Sequence, residues 1–249
     1  MAKKLLFIIV EGVSDKNALE PILSELIDDT QIHFEIIRSD LSAYPENIEL
    51  KDMNMKQRVN YVLKSYLERN RYFKKEYIDK IIFITDTDGC YIDNEHIHYS
   101  EDDEYFRYED DGIYTNCVDH AINRNDVKRI NLNTINSTAK IADVPIQVFY
   151  FSCNLDHVLH NQRNLKQELK EEYADEFADL YEDREEDFID FVNDKNLALS
   201  NDYKESWERI KQGCNSVLRH TNLNVFFIRN IELLNDRGKA KELTYMKKQ

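Results

Sequence analysis

The sequence predicts an α/β fold: a parallel sheet of about four strands flanked by helices, followed by a C-terminal helical extension. Three observations predict it. Short, uniformly apolar runs at Leu5–Val10 and Ile81–Thr85, each followed by acidic residues and a glycine, fit buried parallel strands. Between them lie stretches whose apolar residues recur every three or four positions, the spacing of an amphipathic helix. The resulting order of strand, helix, strand, helix, strand is that of right-handed crossovers.

The elements follow in order. After Leu5–Val10, Ser14 or Asp15 can cap a helix with apolar positions Ala18, Leu19, Ile22, Leu23, Leu26 and Ile27. Pro21 lies within that pattern and is expected to kink it or mark a late start. His33–Ile37 is the second strand. Met55 to Leu67 carries Val59, Val62, Leu63, Tyr66 and Leu67 on one helical face. Ile81–Thr85 is the third strand. Residues 93–115 are polar and tyrosine-rich and read as an irregular acidic insertion; 116–140 read as helical with breaks; Ile146–Phe151 is the fourth strand. From Leu165 to about residue 220 the pattern is helical, through Leu169, Tyr173, Phe177, Leu180 and Tyr181 and later Trp207, Ile210, Val217 and Leu218. Val225–Ile228 fits a short strand or part of a last helix. There is no internal repeat and no Ser/Gly/Pro-rich linker. The expected division is a site-bearing domain over 1–162 and an acidic helical extension over 163–249.

With 249 residues, 42% of them hydrophobic, the chain can build a substantial core. Its net charge of −15 argues against a protein held on nucleic acid by overall charge, although not against an enzyme that meets it at a local site. The excess is concentrated: residues 168–190 hold twelve acids and two bases, and 93–111 hold nine acids and one base. The plain reading of these stretches is solvated surface; a partner-docking face is the alternative. The opening Met-Ala-Lys-Lys and its six apolar residues end at Glu11, too short for a membrane span and a poor signal core. Cys90, Cys117, Cys153 and Cys214 are far apart and form no CxxC, which disfavours structural zinc or a disulfide framework. A cytoplasmic, reduced protein with no membrane association is expected.

The chemistry points to two strand ends, Val10-Glu11-Gly12-Val13-Ser14-Asp15 and Ile84-Thr85-Asp86-Thr87-Asp88-Gly89. In open α/β sheets the C-terminal edge of the strands holds the active site. The chain has only 5 glycines, where average usage would give about 17. Two of those few sit beside these acids, where a glycine permits a tight turn or the close approach of a ligand. Clustered carboxylates repel one another unless a cation intervenes, and hard oxygen donors suit Mg²⁺ or Mn²⁺. The alternative is that these acids cap helices and shape turns.

The pair of strand ends resembles a Toprim domain, the metal-binding α/β module of topoisomerases, DnaG-type primases, ribosomal-RNA maturation nucleases and OLD-family nucleases. Its signature is an apolar strand ending in Glu-Gly and a later strand ending in Asp-x-Asp. The resemblance covers roughly residues 3–160. It implies that Glu11 is a ligand or general acid/base, that Asp86 and Asp88 are metal ligands, and that Asp15 is an auxiliary acid. The run Phe149-Tyr150-Phe151-Ser152-Cys153-Asn154-Leu155-Asp156-His157 resembles the late acidic element of stand-alone Toprim nucleases. It makes Asp156 a candidate for a second ion, with a helix N-terminal acid as the alternative. The sequence lacks the cysteine modules of primases, a second domain with a nucleophilic tyrosine, and any G-x-x-x-x-G-K-[ST] motif. What remains resembles a stand-alone Toprim nuclease with a helical addition, a type that by analogy acts in phage defence beside a separate ATPase partner.

His157 and His160, three apart, can face one ligand. Arg124, Lys128, Arg129 and Lys140 form a modest basic stretch that can hold a phosphate backbone, or else a solvated helix face. The expectation is therefore a Mg²⁺- or Mn²⁺-dependent endonuclease acting on DNA or RNA, with oligomerisation open. Two alternatives stand beside it. Asp86-Thr87-Asp88-Gly89 also resembles the first motif of haloacid-dehalogenase-type phosphatases, in which the first Asp is a nucleophile and the second a general acid/base. The chain also fits a non-catalytic Toprim-like interaction subunit.

Overall fold

Leu5 to Val10 are all fully buried, as expected of a strand covered on both faces. In a computed structural model of the chain, which describes residues 4–30, 32–39, 41–45 and 47–247, they make up all but the first residue of β1 (Lys4–Val10). The opening Met1-Ala2-Lys3 lies outside the described residues. There follow α1 (Val13–Leu26), β2 (Ile32–Arg38), α2 (Met55–Arg69), β3 (Ile78–Asp86), β4 (Ile97–Tyr99), β5 (Arg107–Glu109), β6 (Gly112–Thr115) and α3 (Val118–Asn136). Next come β7 (Lys140–Ile141), β8 (Val144–Phe151), α4 (Leu155–His160), α5 (Lys170–Tyr181), α6 (Asp187–Val192), α7 (Tyr203–Ile210), α8 (Leu223–Arg229) and α9 (Asp236–Met246).

The main sheet has the order β2-β1-β3-β8-β7. β1 pairs in parallel with β2 and β3, and β3 with β8. The α/β class with a parallel-rich, helix-flanked sheet is thus realised, the four expected strands running side by side with β2 at one edge. The fifth, β7, is an antiparallel addition joined to β8 by a hairpin. Its turn residues Ala142 and Asp143 take φ of +48° and +71°. Such turns ordinarily announce themselves by Asn-Gly or Asp-Gly, and no glycine is there to signal this one.

Alternation along β1 divides the core. Leu6, Ile8 and Val10 face α1, α5, α6 and α8, meeting Leu19, Leu23, Phe177, Phe188 and Phe226. Leu5, Phe7 and Ile9 face α2, α3 and α7, meeting Val59, Leu63, Leu132, Ile135 and Trp207. The helices after residue 162 are therefore built into the same core as the sheet. Backbone bonds also link them to it: Ser152 N–H donates to His220 O (2.7 Å), and Cys153 N–H to Ser216 O (2.8 Å). Asp28 N–H donates to Leu233 O (2.8 Å), and Asn235 N–H to Leu26 O (2.8 Å).

Several local expectations change. α1 runs through Pro21 without a break: the ring is exposed, and the buried residues before and after it, Ala18, Leu19, Ile22 and Leu23, anchor the helix despite one missing N–H. The insertion is ordered as a three-stranded sheet, β4-β6-β5. Its strands of three or four residues are too short to show an alternation in sequence. α3 is one continuous helix of 19 residues, and Val225–Ile228 lie within α8. Among the described residues no helix is long and apolar enough to cross a membrane.

Candidate active site

β1 and β3 are neighbours and run parallel, so Glu11, just past β1, and Asp86, the last residue of β3, arrive side by side at the C-terminal edge. Glu11 is fixed there. Its Oε2 accepts from Thr85 Oγ1 (2.9 Å), the Asp86 backbone N–H (3.2 Å) and Lys128 Nζ (3.2 Å). Its Oε1 accepts from the Ser42 N–H (3.2 Å). Ser42 belongs to the loop between β2 and α2, which the buried Arg58 clamps. Arg58 Nη1 donates to Leu41 O (2.6 Å) and Ala43 O (3.2 Å), and Nε donates to Met53 O (2.9 Å) and Leu50 O (3.2 Å).

The two glycines have specific tasks. A Cβ on Gly12 would lie 2.8 Å from Asp15 Oδ1; without it, Asp15 swings back to accept the Gly12 N–H at 2.9 Å. Asp15 thereby caps the N-cap N–H in the first turn of α1 as well as belonging to the acid cluster. Asp88 and Gly89 both adopt left-handed φ, +47° and +67°. Cys153, whose carbonyl accepts the Asp88 N–H at 2.7 Å, has φ +57°. Strained non-glycine residues at this edge re-aim Asp88 toward α3.

α3 brings the counter-charge. The buried Lys128 ammonium lies 2.5 Å from Asp88 Oδ2 as well as 3.2 Å from Glu11, and Arg124 Nη1 is 3.7 Å from Asp88. Arg124 also rests 4.5 Å from the Phe106 ring centroid and donates to Tyr108 Oη at 3.3 Å. Behind Asp15, Asp156 at the start of α4 is paired with Lys170 at 2.7 Å. The acids Glu11, Asp15, Asp86, Asp88 and Asp156 outnumber Lys128, Arg124 and Lys170, and the excess is felt unevenly. Burial, with Asp15, Asp88 and Glu11 adding to it, holds Asp86 well above the ordinary carboxylate range. Burial pushes Asp15 up to about 6, against the pull of the Gly12 N–H. Burial would raise Asp88 too, but Lys128 and Arg124 overcome it and hold Asp88 low.

Two cavities open on this edge and share Asp86, Asp88 and Lys170. One, of about 450 Å³, is also lined by Glu11, Asp15 and Lys128. The other, of about 990 Å³, runs under the insertion past Phe106 and Arg163. Glu11, Asp15, Asp86 and Asp88 are thus brought together on one cleft. Asp156 lines neither cavity and meets them through Lys170.

The four expected phosphate-binding cations are not brought to one surface. Arg124 and Lys128 are buried against the acids. Arg129 donates to Cys90 O at 2.9 Å. Lys140 sits opposite Pro145, near the start of β8, at the end of the sheet away from the cleft. Nor do His157 and His160 face one ligand. His157 meets Arg163 at 3.5 Å, and burial holds it down at about 4. His160 packs against the Tyr173 and Phe177 rings. Sequence reasoning missed Lys170, Arg163, Ser42 and Thr85. Lys170 alone had a visible signal, as one of two bases in the acidic stretch 168–190.

The donor set suits a hard cation in kind. Asp86 Oδ1 and Asp156 Oδ1 are buried carboxylate oxygens with no hydrogen-bond partner. It is not a ready-made cage: among the described residues no group of three or more His, Cys, Asp or Glu is placed to hold a metal ion as it stands. Glu11 and Asp88 already share one cation, the Lys128 ammonium. A divalent ion held by Glu11, Asp86 and Asp88 would share their oxygens with it.

Comparison with family models, curated proteins and solved structures gives no match in any of the three.

Proposed function

We propose that the chain is a Toprim-like, Mg²⁺- or Mn²⁺-dependent nuclease that hydrolyses phosphodiester bonds in DNA or RNA. The observation that carries this reading is the adjacency of β1 and β3, whose ends deliver Glu11 beside Asp86 and Asp88 in one cleft. Glu-Gly and Asp-x-Asp motifs far apart in sequence thereby become one carboxylate centre. Orphaned buried oxygen on Asp86 and the excess of acids over bases both favour an additional cation. When bound, that ion would supply Lewis-acid stabilisation of phosphate charge. Glu11, Asp86 and Asp88 would hold it, with Asp15 as auxiliary acid and Asp156 acting through Lys170.

The chain's own groups have distinct tasks in this reading. Lys128 stays on Glu11 and Asp88 and sets their spacing, while Lys170, paired with Asp156 but lining both cavities, would offset charge developing on a phosphate there. Glu11, tied down by Thr85, Ser42 and the Asp86 N–H, is held in one place for ligation. A partner ATPase and a role in phage defence belong to the same proposal, by the family resemblance alone.

A second reading has its own support. Lys128 bonded to both Glu11 and Asp88 favours a non-catalytic Toprim-like subunit, in which the ammonium permanently replaces a metal. One experiment separates these readings. Purified protein is incubated with plasmid, tRNA and a chromogenic phosphate monoester, with and without Mn²⁺. Nucleic-acid cleavage that is abolished by Asp86→Asn supports the nuclease; turnover of the monoester alone replaces it with a phosphatase. No turnover of any substrate, with stable co-purification of an ATPase, selects the interaction subunit.

A further inference from the structure

The rim of the carboxylate cleft carries aromatic rings that the core does not use. Tyr44 is 50% exposed and lines the smaller cavity; Tyr105 is 82% exposed and, with Phe106, lines the larger. Asp86 and Asp88 are common to both cavities, so each ring stands in a cavity that opens on the acids. His120 joins the two walls. It is stacked with Tyr44, centroids 6.3 Å apart and planes at 14°, and lies 5.5 Å from Phe106. The Arg124 guanidinium lies 4.5 Å from the Phe106 ring centroid. Tyr44 is only two residues beyond Ser42, whose N–H is bonded to Glu11, so its position is tied to the acid centre. Exposed apolar rings grouped at a cleft mark a binding surface.

The charge around the cleft narrows what can bind there. Most of its cations are committed to acids: Lys128 to Glu11 and Asp88, Lys170 to Asp156, Arg163 to Asp110 and Arg107 to Asp103 and Glu109; Lys166 also lines the larger cavity. The larger cavity adds Asp102, Asp103 and Glu104 to its wall. A duplex carries a phosphate charge every ~1.7 Å of its axis and hides both faces of its bases. Such a ligand would meet repulsion here and leave the rings unused. An unpaired strand has lower charge density and open base faces, and stacking on aromatic side chains contributes ~1–3 kcal/mol per base without regard to sequence.

We infer that the substrate is an unpaired stretch of nucleic acid, with bases flanking the target phosphate stacked on Tyr44 in one cavity and on Tyr105 in the other. This rests on the nuclease reading for its substrate class, although the binding mode is tested apart from cleavage. The probes are fluorescein-labelled 20-nucleotide single-stranded DNA, single-stranded RNA and the blunt duplex of each. Binding to the full chain is followed by anisotropy in Ca²⁺. Single strands are expected to bind at least 10-fold more tightly than their duplexes. Tyr44→Ala and Tyr105→Ala should each weaken single-strand binding by roughly 5- to 100-fold, while Tyr44→Trp and Tyr105→Trp retain it. The DNA and RNA arms identify the sugar. Duplex binding as tight as single-strand binding, no effect of removing either ring, or no binding to any probe would overturn the inference. Ring-dependent binding without cleavage in Mn²⁺ would remove the nuclease reading and leave this one standing. Duplex cleavage indifferent to both rings would do the reverse.

Discussion

Lys128 Nζ lies 2.5 Å from Asp88 Oδ2 and 3.2 Å from Glu11 Oε2, so a single side chain of α3 holds acids from the ends of two adjacent strands. Removing one member of a buried ion pair leaves an uncompensated charge, at a cost of ~3–5 kcal/mol. Lys128→Met is therefore expected to lower stability by about that amount in EDTA, read from urea unfolding. Millimolar Mn²⁺ should restore part of it, because an ion can take the vacated place. A loss below about 1 kcal/mol would show that the ammonium is not the counter-ion of the cluster.

Asp86 presents a buried oxygen without a partner in a field of other acids. Asp86→Asn removes the charge while keeping the shape. In EDTA the variant should melt higher than the wild type. The rise in Tm that Mn²⁺ gives the wild type should shrink in the variant. An undiminished Mn²⁺ response would place the ion elsewhere.

Arg58 satisfies four carbonyls of the loop that aims Ser42 at Glu11. Arg58→Leu removes their guanidinium donor, leaving among the described residues only Leu50 O with a backbone partner (Met53 N–H, 3.1 Å), and should cost roughly 3 kcal/mol. Arg58→Lys should recover only part, because an ammonium lacks the planar fork. Chemical denaturation of both variants checks the order.

Glu242 of α9 is fully buried and accepts one bond, from Asn193 Nδ2 at 3.4 Å. Burial raises its folded pKa above the ordinary 4.5. The unfolded chain therefore releases this proton at lower pH than the folded one, and stability falls as pH rises through that interval. Glu242→Gln should be more stable than the wild type at pH 8 and indistinguishable from it at pH 4. Thermal melts across that range would expose the opposite sign.

Asn222 is fully buried, accepting the Tyr150 N–H at 2.7 Å and donating to Ser206 Oγ at 3.1 Å. Asn222→Ala removes one of several links between β8 and α7, leaving the Tyr150 N–H and Ser206 Oγ without that buried partner, and should cost ~2–3 kcal/mol, measured by urea unfolding.

The buried strands β1, β3 and β8 and the acids at the ends of β1 and β3 were legible in the sequence because buried parallel strands write continuous apolar runs and those two ends write Glu-Gly and Asp-x-Asp; β2, at the edge of the sheet, showed itself more weakly as IHFEIIR. What escaped were interactions set by side-chain direction. Nothing in the spacing of Arg124 and Lys128 distinguishes a phosphate-facing helix from one turned inward onto Asp88. Only the packing of α3 decides it. The hairpin at Ala142-Asp143 was hidden because non-glycine residues occupy left-handed positions there. The same applies to Asp88, where the glycine motif was visible but the left-handed turn of its acid was not.

Closure of the sheet's α1 side has a consequence for synthesis. Leu6, Ile8 and Val10 meet Phe226 and Leu234 in one core, and the end of α1 is bonded to residues 233 and 235. A nascent chain emerging from the ribosome thus carries an apolar sheet face that α1, α5 and α6 cover only in part until α8 and the segment after it have been translated. Its vulnerability to aggregation or to chaperone capture falls in that interval, and stalling late in translation would be more damaging than stalling early.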